Sequence, residues 1–191
     1  MYAQRSSVNN CFSFLPIEEE CKDWPSDKPV FVDVGGGTGQ QCMALKEKFP
    51  RLPGRVILQD LSAPIEEASV SNGVEKMVYD FFTPQPVKGA RYYYLRAIMH
   101  DHADDKCLEI LKNVAGAMTE ASTILLDEIV VPDKNVEWFV TQTDLGMLVQ
   151  FSSMERTEKH WRELLAEAGL KVQKITTYTH AFRLSIISAT K

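Results

Sequence analysis

Apolar runs and helical stripes alternate along this chain from residue 30 onward. Short runs with little polar interruption predict buried strands over 30–34, 55–59, 74–78, 90–95, 122–131, 170–176 and 182–189. Between them, apolar positions recur at helical spacing and predict helices over 40–49, 63–70, 104–118, 137–150 and about 157–168. Strands that alternate with helices indicate an α/β sheet covered by helices on both faces.

The last two predicted strands are joined by only a few residues, 177–181. Parallel neighbours need a crossover of roughly a dozen residues or more, so these two strands should form a hairpin. We therefore predict a Rossmann-like, mostly parallel seven-stranded sheet with an antiparallel last strand, spanning residues 30–191. Residues 1–29 show no clear period and are interpreted as an N-terminal extension or linker.

Composition and charge narrow the choice of partners. The 191 residues are 45% hydrophobic and carry a net charge of −5, which fits one globular domain. The acidic balance argues against a nucleic-acid-binding face and against an anionic membrane surface. No apolar run approaches the ~20 residues that span a bilayer, and the N-terminus has no apolar signal region. A cytoplasmic location is the default expectation.

The four cysteines do not indicate a metal site. Cys11, Cys21, Cys42 and Cys107 share no short ligand spacing, and no Cys-x-x-Cys motif occurs. We expect four reduced thiols, most of them buried, and no bound metal.

A glycine-rich loop follows the first predicted strand. Glycines occupy four of the five positions 35–39, and Gly35 and Gly37 would let backbone N–H groups approach a ligand. The third glycine of a dinucleotide fingerprint would fall at position 40, which is Gln40. Asp33 would repel a pyrophosphate but could accept from the ammonium group of a methionine moiety. These features favour S-adenosylmethionine over NAD; the structural alternative is a tight turn that packs a helix on a strand.

Two further acids follow neighbouring strands. Asp60 ends the second strand, where a carboxylate can accept from both ribose hydroxyls of a nucleoside. Asp80 follows the third strand and can accept from an adenine amino group while Phe81 lies against the ring. Asp80 could equally cap a loop. Ligands of open α/β sheets bind along the carboxyl edge of the strands, where all of these residues should lie.

A candidate general base follows the fourth strand. A phenol has a pKa near ~10, whereas an unperturbed histidine near ~6.5 is mostly neutral at pH 7 and can take the phenolic proton. His100 or His102 could act in this way; a structural, hydrogen-bonded histidine is the alternative for each. His160 and His180 are expected at surface or loop positions.

Five motifs, taken in order, resemble the caffeate-type O-methyltransferases, and most closely the fungal members that act on aromatic secondary metabolites. The resemblance runs from about residue 29 to residue 189. The motifs are Val32-Asp33-Val34-Gly35-Gly36-Gly37-Thr38-Gly39, Leu58-Gln59-Asp60-Leu61, the run from Leu95 to Cys107 with His100-Asp101, Asp127-Glu128-Ile129-Val130-Val131-Pro132, and Glu155-Arg156-Thr157-Glu158.

The resemblance implies roles for individual residues. His100 matches the general base of the family, and Glu128 and Glu155 match the two acids that orient it, by the logic of a hydrolase triad. Met147 matches a methionine that flanks the aromatic acceptor, and we also expect Asp101 and Trp138 at the acceptor site. The positions matching the contacts to S-adenosylmethionine are Asp33, Gly35, Asp60, Asp80, Phe81 and Arg96.

The sequence also departs from the family pattern. His102 stands where many relatives have Trp, and Ser62-Ala63 stand where a Pro is more usual. Members of the family are homodimers with an N-terminal helical domain that helps close the acceptor pocket. Only about 29 residues precede the first motif strand, so we expect that dimerisation domain to be missing and the acceptor site to be open.

Three functions therefore stay under consideration. The first is methyl transfer to a phenolic or polyketide-like hydroxyl, with a small aromatic molecule as partner. The second is a rearrangement or cyclisation in a protein that keeps the cofactor pocket, and the third is a truncated partner without catalytic activity. NAD-dependent oxidoreduction is a more distant alternative, disfavoured by Gln40 and Asp33.

Overall fold

The computed structural model describes residues 11–70 and 73–191, so residues 1–10 of the predicted extension lie outside the described residues. The strands are β1 Pro29–Val34, β2 Arg55–Asp60, β3 Val74–Val78, β4 Tyr92–Arg96, β5 Thr123–Val131, β6 Arg156–Thr157, β7 Lys171–Thr179 and β8 Leu184–Thr190. The α-helices are α1 Ile17–Cys21, α2 Gln40–Lys48, α3 Ser62–Glu67, α4 Asp104–Ala115, α5 Trp138–Phe151 and α6 Glu158–Glu167. Short 3-10 helices cover Cys11–Phe14 and Met99–Asp101.

The sheet confirms the predicted topology. Its strand order is β3-β2-β1-β4-β5-β8-β7, with β1 to β5 parallel and β8 antiparallel to both of its neighbours. The hairpin between β7 and β8 inserts the last strand beside β5. The eighth strand, β6, pairs only with the end of β5 and was not predicted, because two residues are too few to show a period.

Some predicted boundaries were wrong by a few residues. Strand β7 continues to Thr179, and Phe182 lies in the connecting turn rather than in β8. In the turn Arg183 adopts φ 55°, a left-handed backbone outside the extended region of a regular strand. Helix α3 stops at Glu67 because Ala68 is extended, which lets Val70 pack over Gly39.

Each face of the sheet carries its own apolar core. On one face, α4 and α6 pack over β4 and β5, with Leu111, Val114, Trp161 and Leu165 buried against Tyr93 and Leu95. On the other face, α2 and α3 pack with the N-terminal residues against Phe31, Tyr92 and Tyr94. The two cores hold the strand ends rigidly, which positions the loops that follow them.

The N-terminal extension takes part in this second core. Cys11, Phe12 and Ile17 are almost completely buried. The Phe12 ring lies 5.7 Å from that of Phe31 and 5.6 Å from that of Tyr94, in edge and tilted arrangements that aromatic pairs favour. The described part of the segment therefore packs as part of the same folded unit as the sheet.

All four cysteines are buried and free, as predicted for their burial. Burial raises the pKa of Cys11 and of Cys107 to about 12 and that of Cys21 to about 11, so these thiols stay protonated. Over residues 11–70 and 73–191, no group of three His, Cys, Asp or Glu side chains is placed to hold a metal ion. In the same ranges no helix is long and apolar enough to cross a membrane.

Helix α5 exposes an unusual number of large apolar side chains. One face packs inward through Val140, Thr143 and Met147. The exposed apolar residues of the helix are Trp138, Leu145, Leu148, Val149 and Phe151. Clusters of this kind on a soluble domain commonly mark a binding surface.

We expect the substitution Phe12→Ala to destabilise the domain strongly. Removing a fully buried ring leaves a cavity between Phe31 and Tyr94 and typically costs about 3–5 kcal/mol. Phe14 is the matched control, because it is two residues away and 44% exposed. Urea unfolding of both variants measures the difference; equal losses for Phe12→Ala and Phe14→Ala would contradict a structural role for the N-terminal segment.

Candidate active site

The predicted site residues gather along one edge of the sheet. Because β1, β2, β3, β4 and β5 are parallel, their carboxyl ends lie side by side. The glycine loop follows β1, Asp60 ends β2 and the turn with His100 follows β4. The first residue of antiparallel β8, Leu184, reaches the same edge and lines a small cleft with Arg96, His100 and Glu128.

The glycine loop is held on one side by hydrogen bonds to β2 and is open beside Gly37. The Gly35 and Gly36 N–H groups both donate to the Gln59 carbonyl, at 2.8 and 3.0 Å. Gly35 and Gly37 have φ of 69° and 60°, which glycine adopts without strain. A side chain at Gly35 would strike Ile98, whereas beside Gly37 no atom lies within 4 Å of the Cβ position. The loop therefore leaves space for a ligand to approach its backbone.

Asp33 lies beneath the loop rather than on it. Only 1% of the residue is exposed, it sits against Gly36, and its carboxylate accepts a hydrogen bond from Cys42 Sγ at 3.5 Å. Burial raises the pKa of Asp33 to about 7, although the Cys42 bond and Arg96 oppose that rise. In this arrangement Asp33 supports the loop from below, and its direct contact with an ammonium group stays a prediction.

Asp60 ties the loop to the end of β2. Its Oδ2 accepts from the Gly37 N–H at 2.7 Å, and Oδ1 accepts from the Leu61 N–H at 2.7 Å. Both oxygens keep a further lone pair, and the residue is partly exposed. The carboxylate is thus fixed beside the open side of Gly37, where it can accept from hydroxyl groups of a ligand.

Asp80 caps a turn, and Phe81 reaches back to the glycine loop. Asp80 Oδ1 accepts from the Phe82 N–H at 3.0 Å, so the loop-capping role considered for this residue is present, and the residue is exposed. Phe81 lies near Gly35 and meets the ring of His102 edge to face at 5.7 Å. Burial lowers the pKa of His102, which leaves a neutral imidazole beside these aromatic rings.

Arg96 lies at the end of β4 in a buried polar network. It donates to Asp127 Oδ2 at 2.8 Å, and the hydroxyls of Tyr94 and Tyr178 donate to the same carboxylate at 2.6 Å each. Asp127 itself is 1% exposed. The guanidinium is therefore fixed at the carboxyl edge and keeps donors that a ligand can use.

His100 is fixed by a buried carboxylate. The chain bends sharply after β4 at Ala97, which adopts φ 52°, and enters the 3-10 turn Met99–Asp101. There His100 Nδ1 lies 3.0 Å from Glu155 Oε1, and Nε2 lies 3.5 Å from Asp101 Oδ1. A carboxylate that accepts from Nδ1–H leaves the lone pair on Nε2, which is the arrangement a general base needs.

Glu128 forms hydrogen bonds with the turn and acts on the imidazole ring only through its charge. Its Oε1 accepts from the backbone N–H groups of Ile98 and Met99 at 2.9 and 2.8 Å. Burial raises the pKa of Glu128 to about 7, and the charge of His100 opposes that rise. Of the two acids that the family resemblance pairs with the base, Glu155 holds the ring and Glu128 holds the backbone that carries it.

The charge around His100 raises its basicity. Burial alone favours the neutral imidazole, but Glu128, Glu155 and Asp101 outweigh it and raise the pKa of His100 to about 9. Glu155 Oε2 is buried without a hydrogen-bond partner among the described residues.

The residues expected at the acceptor site are not all brought together. Met147 is buried on α5, which packs against the turn with His100, and Asp101 lies in that turn. Trp138 is 73% exposed at the first turn of α5, about 13 Å along the helix axis from Met147 at 1.5 Å per residue. Trp138 therefore lies on the outer surface of α5, and its contact with an acceptor stays a prediction.

Sequence reasoning missed two buried residues of the site. Arg156 and Asp127 were included in motifs, but neither of them was assigned a role from the sequence. Each is almost completely buried and makes at least three hydrogen bonds. A charged residue within an apolar run, as Asp127 is in β5, was a usable signal. The sequence around Arg156 gave no comparable signal.

Comparison with known proteins gives a consistent set of relatives. Residues 26–171 match the O-methyltransferase domain family model. The chain is 44% identical to O-methyltransferase lepI of Aspergillus flavus, over 89% of this chain and 45% of that protein. It is also 44% identical to demethylsterigmatocystin 6-O-methyltransferase stcP of Emericella nidulans, over 83% of this chain and 78% of that protein.

Solved structures agree with these relatives. A structure of LepI in complex with S-adenosylmethionine superposes with a TM-score of 0.91, and one described as a pericyclic reaction enzyme with 0.92. Both are 41% identical to this chain and cover 96% of it, while the chain covers 48% of each. The chain thus spans about half the length of lepI and of these solved proteins. By the family match and by its identity to stcP, the chain belongs to the O-methyltransferase family.

Proposed function

We propose that this chain is the catalytic part of an S-adenosylmethionine-dependent O-methyltransferase that methylates a phenolic or polyketide-like hydroxyl. The observation that carries the proposal is the buried hydrogen bond between His100 Nδ1 and Glu155 Oε1, at 3.0 Å. This hydrogen bond leaves Nε2 of His100 as a proton acceptor at the same edge of the sheet as the open glycine loop. Methyl transfer from a sulfonium to a neutral hydroxyl requires both.

The residues at the glycine loop fit the cofactor. Gly37 leaves room for a ligand to reach the backbone, and Asp60 beside it can accept from ribose hydroxyls. Phe81 offers a ring face near Gly35 for an adenine, and the free oxygen of Asp80 can accept from its amino group. When bound, S-adenosylmethionine supplies an electrophilic methyl group on a positively charged sulfur.

His100 removes the proton that methylation sets free. The proton released from the acceptor hydroxyl on methylation would pass to Nε2 of His100. Glu155 stabilises the imidazolium formed, and Asp101, 3.5 Å from Nε2, supports the same charge. Positioned bases of this kind contribute about 10²–10⁴ in rate.

The acceptor is proposed from the family and from the lining of the site. Met147 on α5 offers a soft apolar contact for an aromatic ring, and Asp101 offers a polar contact near the base. One relative carries demethylsterigmatocystin in its name, so that compound is a suitable probe acceptor. We propose that, in the longer family members, the part of the protein that this chain lacks packs on the exposed apolar face of α5.

Rearrangement without methyl transfer is the second candidate. The TM-score of 0.92 with a pericyclic reaction enzyme favours it. The paired His100 and Glu155 favour methyl transfer, because a rearrangement that neither gains nor loses a proton needs no base with a fixed tautomer. Mass spectrometry of the product separates the two, since methylation adds one methylene to the mass and an isomerisation adds nothing.

Cofactor binding is expected to depend on Asp60. Calorimetric titration should detect binding of S-adenosylmethionine and S-adenosylhomocysteine but not of NAD. Asp60→Ala should weaken binding at least about tenfold, because it removes the ribose acceptors and frees the Gly37 N–H. Asp133→Ala, at an exposed loop position, is the control. Unchanged affinity in Asp60→Ala would remove Asp60 from the site.

Turnover is expected to depend on His100 without a matching effect on cofactor affinity. With demethylsterigmatocystin and methyl-labelled S-adenosylmethionine, His100→Ala should lower kcat about 10²–10⁴-fold. The dissociation constant of S-adenosylhomocysteine should change by less than about threefold. His180→Ala, in an exposed turn, should behave like the unsubstituted chain. A His100→Ala variant that keeps more than a tenth of the rate would show that His100 is not the base.

The pH dependence of the rate should report the pKa of His100. Only the neutral imidazole accepts a proton, so kcat/KM should rise with pH and level off above a pKa of about 9. Glu155→Gln removes a charge that favours the imidazolium, so the rise should move to lower pH, toward about 6.5. Its plateau should be lower because Glu155 no longer stabilises the product cation.

The control for this profile is Glu158→Gln, three residues away. Glu158 is exposed and pairs with Arg162 on the surface of α6, so its loss should leave the profile unchanged. A rise that stays in place in Glu155→Gln would mean that another group sets the pH dependence.

A further inference from the structure

We propose that Arg156 is a positioning residue that holds the 3-10 turn Met99–Asp101 and thereby aims His100 at the acceptor. The inference rests on the proposed role of His100 as the base. Arg156 touches no predicted ligand position and contacts the turn directly from β6. Its side chain is completely buried, which is uncommon for an arginine unless its charge and its donors are paired.

Arg156 binds the carbonyl groups at both ends of the turn. Its Nη1 donates to the Met99 carbonyl at 2.9 Å, and Nη2 donates to the His102 carbonyl at 2.8 Å. These carbonyls flank His100 along the chain. A single planar group therefore fixes the distance across the turn, which a flexible or single-point donor cannot do.

The charge of Arg156 is compensated by the first turn of α4. Nε and Nη2 both donate to Asp104 Oδ1, at 2.9 and 2.8 Å, and the guanidinium lies 5.4 Å from the ring of Trp161. Asp104 Oδ2 is bonded to His160 Nε2 at 2.7 Å. The guanidinium is thus held to α4 by Asp104, and to α6 by Trp161 and by the bond between Asp104 and His160.

A buried carboxylate holds the same turn from its other side. Glu128 accepts from the Ile98 and Met99 N–H groups where the chain enters the turn. Arg156 binds the Met99 carbonyl, within the turn, and the His102 carbonyl, directly after the turn. Glu155, the residue before Arg156, holds the ring of His100, so positions 155 and 156 fix the side chain and the backbone of the base together.

The first test measures the pKa of His100 directly, by NMR titration of the ring-labelled full chain. His100→Gln identifies the resonance among the four histidines. The charged and titratable groups that face His100 are Glu128 on β5, Glu155 before β6, and Asp101 and His102 in its own turn. None of them is altered by Arg156→Lys, which keeps the charge and loses the fork geometry.

We expect Arg156→Lys to lower the pKa of His100 by about one unit, because a loosened turn lengthens the contact between Nδ1 and Glu155. The control is Arg162→Lys on the exposed face of α6, which should leave the pKa in place. An unchanged His100 pKa in a folded Arg156→Lys variant would overturn the proposal. This readout needs no turnover, so it stands apart from any failure to find methyl transfer.

The second test separates positioning from general destabilisation. Arg156→Lys should lower kcat about ten- to a hundredfold while the dissociation constant of S-adenosylhomocysteine changes less than about threefold. In Arg156→Ala, added guanidinium should restore part of the lost rate, and added ammonium should not. A loss of rate accompanied by an equal loss of cofactor affinity, with no rescue by guanidinium, would assign Arg156 a structural role only.

Discussion

Buried charge at the carboxyl edge of the sheet is the constraint on which this structure depends. Glu128, Glu155, Asp127 and Arg156 are each at most 6% exposed, and an unpaired buried ion costs several kcal/mol. Each is compensated by a partner 29 to 57 residues away along the chain. Because these partners meet only when β4, β5 and β6 are in register, the fold that satisfies these buried groups is also the fold that assembles the site.

The pairing of His100 with Glu155 involves a compromise. The carboxylate fixes the tautomer and the angle of the ring, but it also contributes to a pKa of about 9. At pH 7 a group with that pKa is neutral in only about 1% of molecules. A stronger base is also the better proton acceptor once it is neutral. For the proposed reaction, this pairing gives up a large neutral population in exchange for a base that is correctly oriented and strong.

The sequence predicted most of the fold and the outline of the site. Nearly continuous apolar runs and apolar stripes at helical spacing identified every long element among the described residues, and the short link after residue 176 correctly indicated the final hairpin. The resemblance to the O-methyltransferases is confirmed by the family match. Each of these signals is carried by local spacing, which is what a single sequence records.

What the sequence could not show depends on tertiary contacts. Residues 11–21 show no period because Phe12 lies in a four-residue 3-10 helix and Ile17 lies in the five-residue helix α1, not in one long helix. The division of labour between Glu128 and Glu155 depends on which carboxylate lies near the ring and which lies near the backbone. Arg156 is buried because three acceptors within residues 99–104, which lie 52 to 57 residues away along the chain, meet around it. No spacing along the chain encodes that meeting.

The fold does not decide between methyl transfer and rearrangement, because the chain is similar both to proteins named as O-methyltransferases and to one described as a pericyclic reaction enzyme. The decision has to come from groups that one reaction needs and the other does not. Both reactions can use a cofactor pocket and an apolar acceptor site, so the glycine loop and Met147 do not discriminate. Transfer of a methyl group to a hydroxyl releases a proton, and an isomerisation releases none. A buried imidazole with one nitrogen bonded to Glu155, in a turn held by two further buried side chains, is the arrangement that the proposed methyl transfer uses to receive that proton.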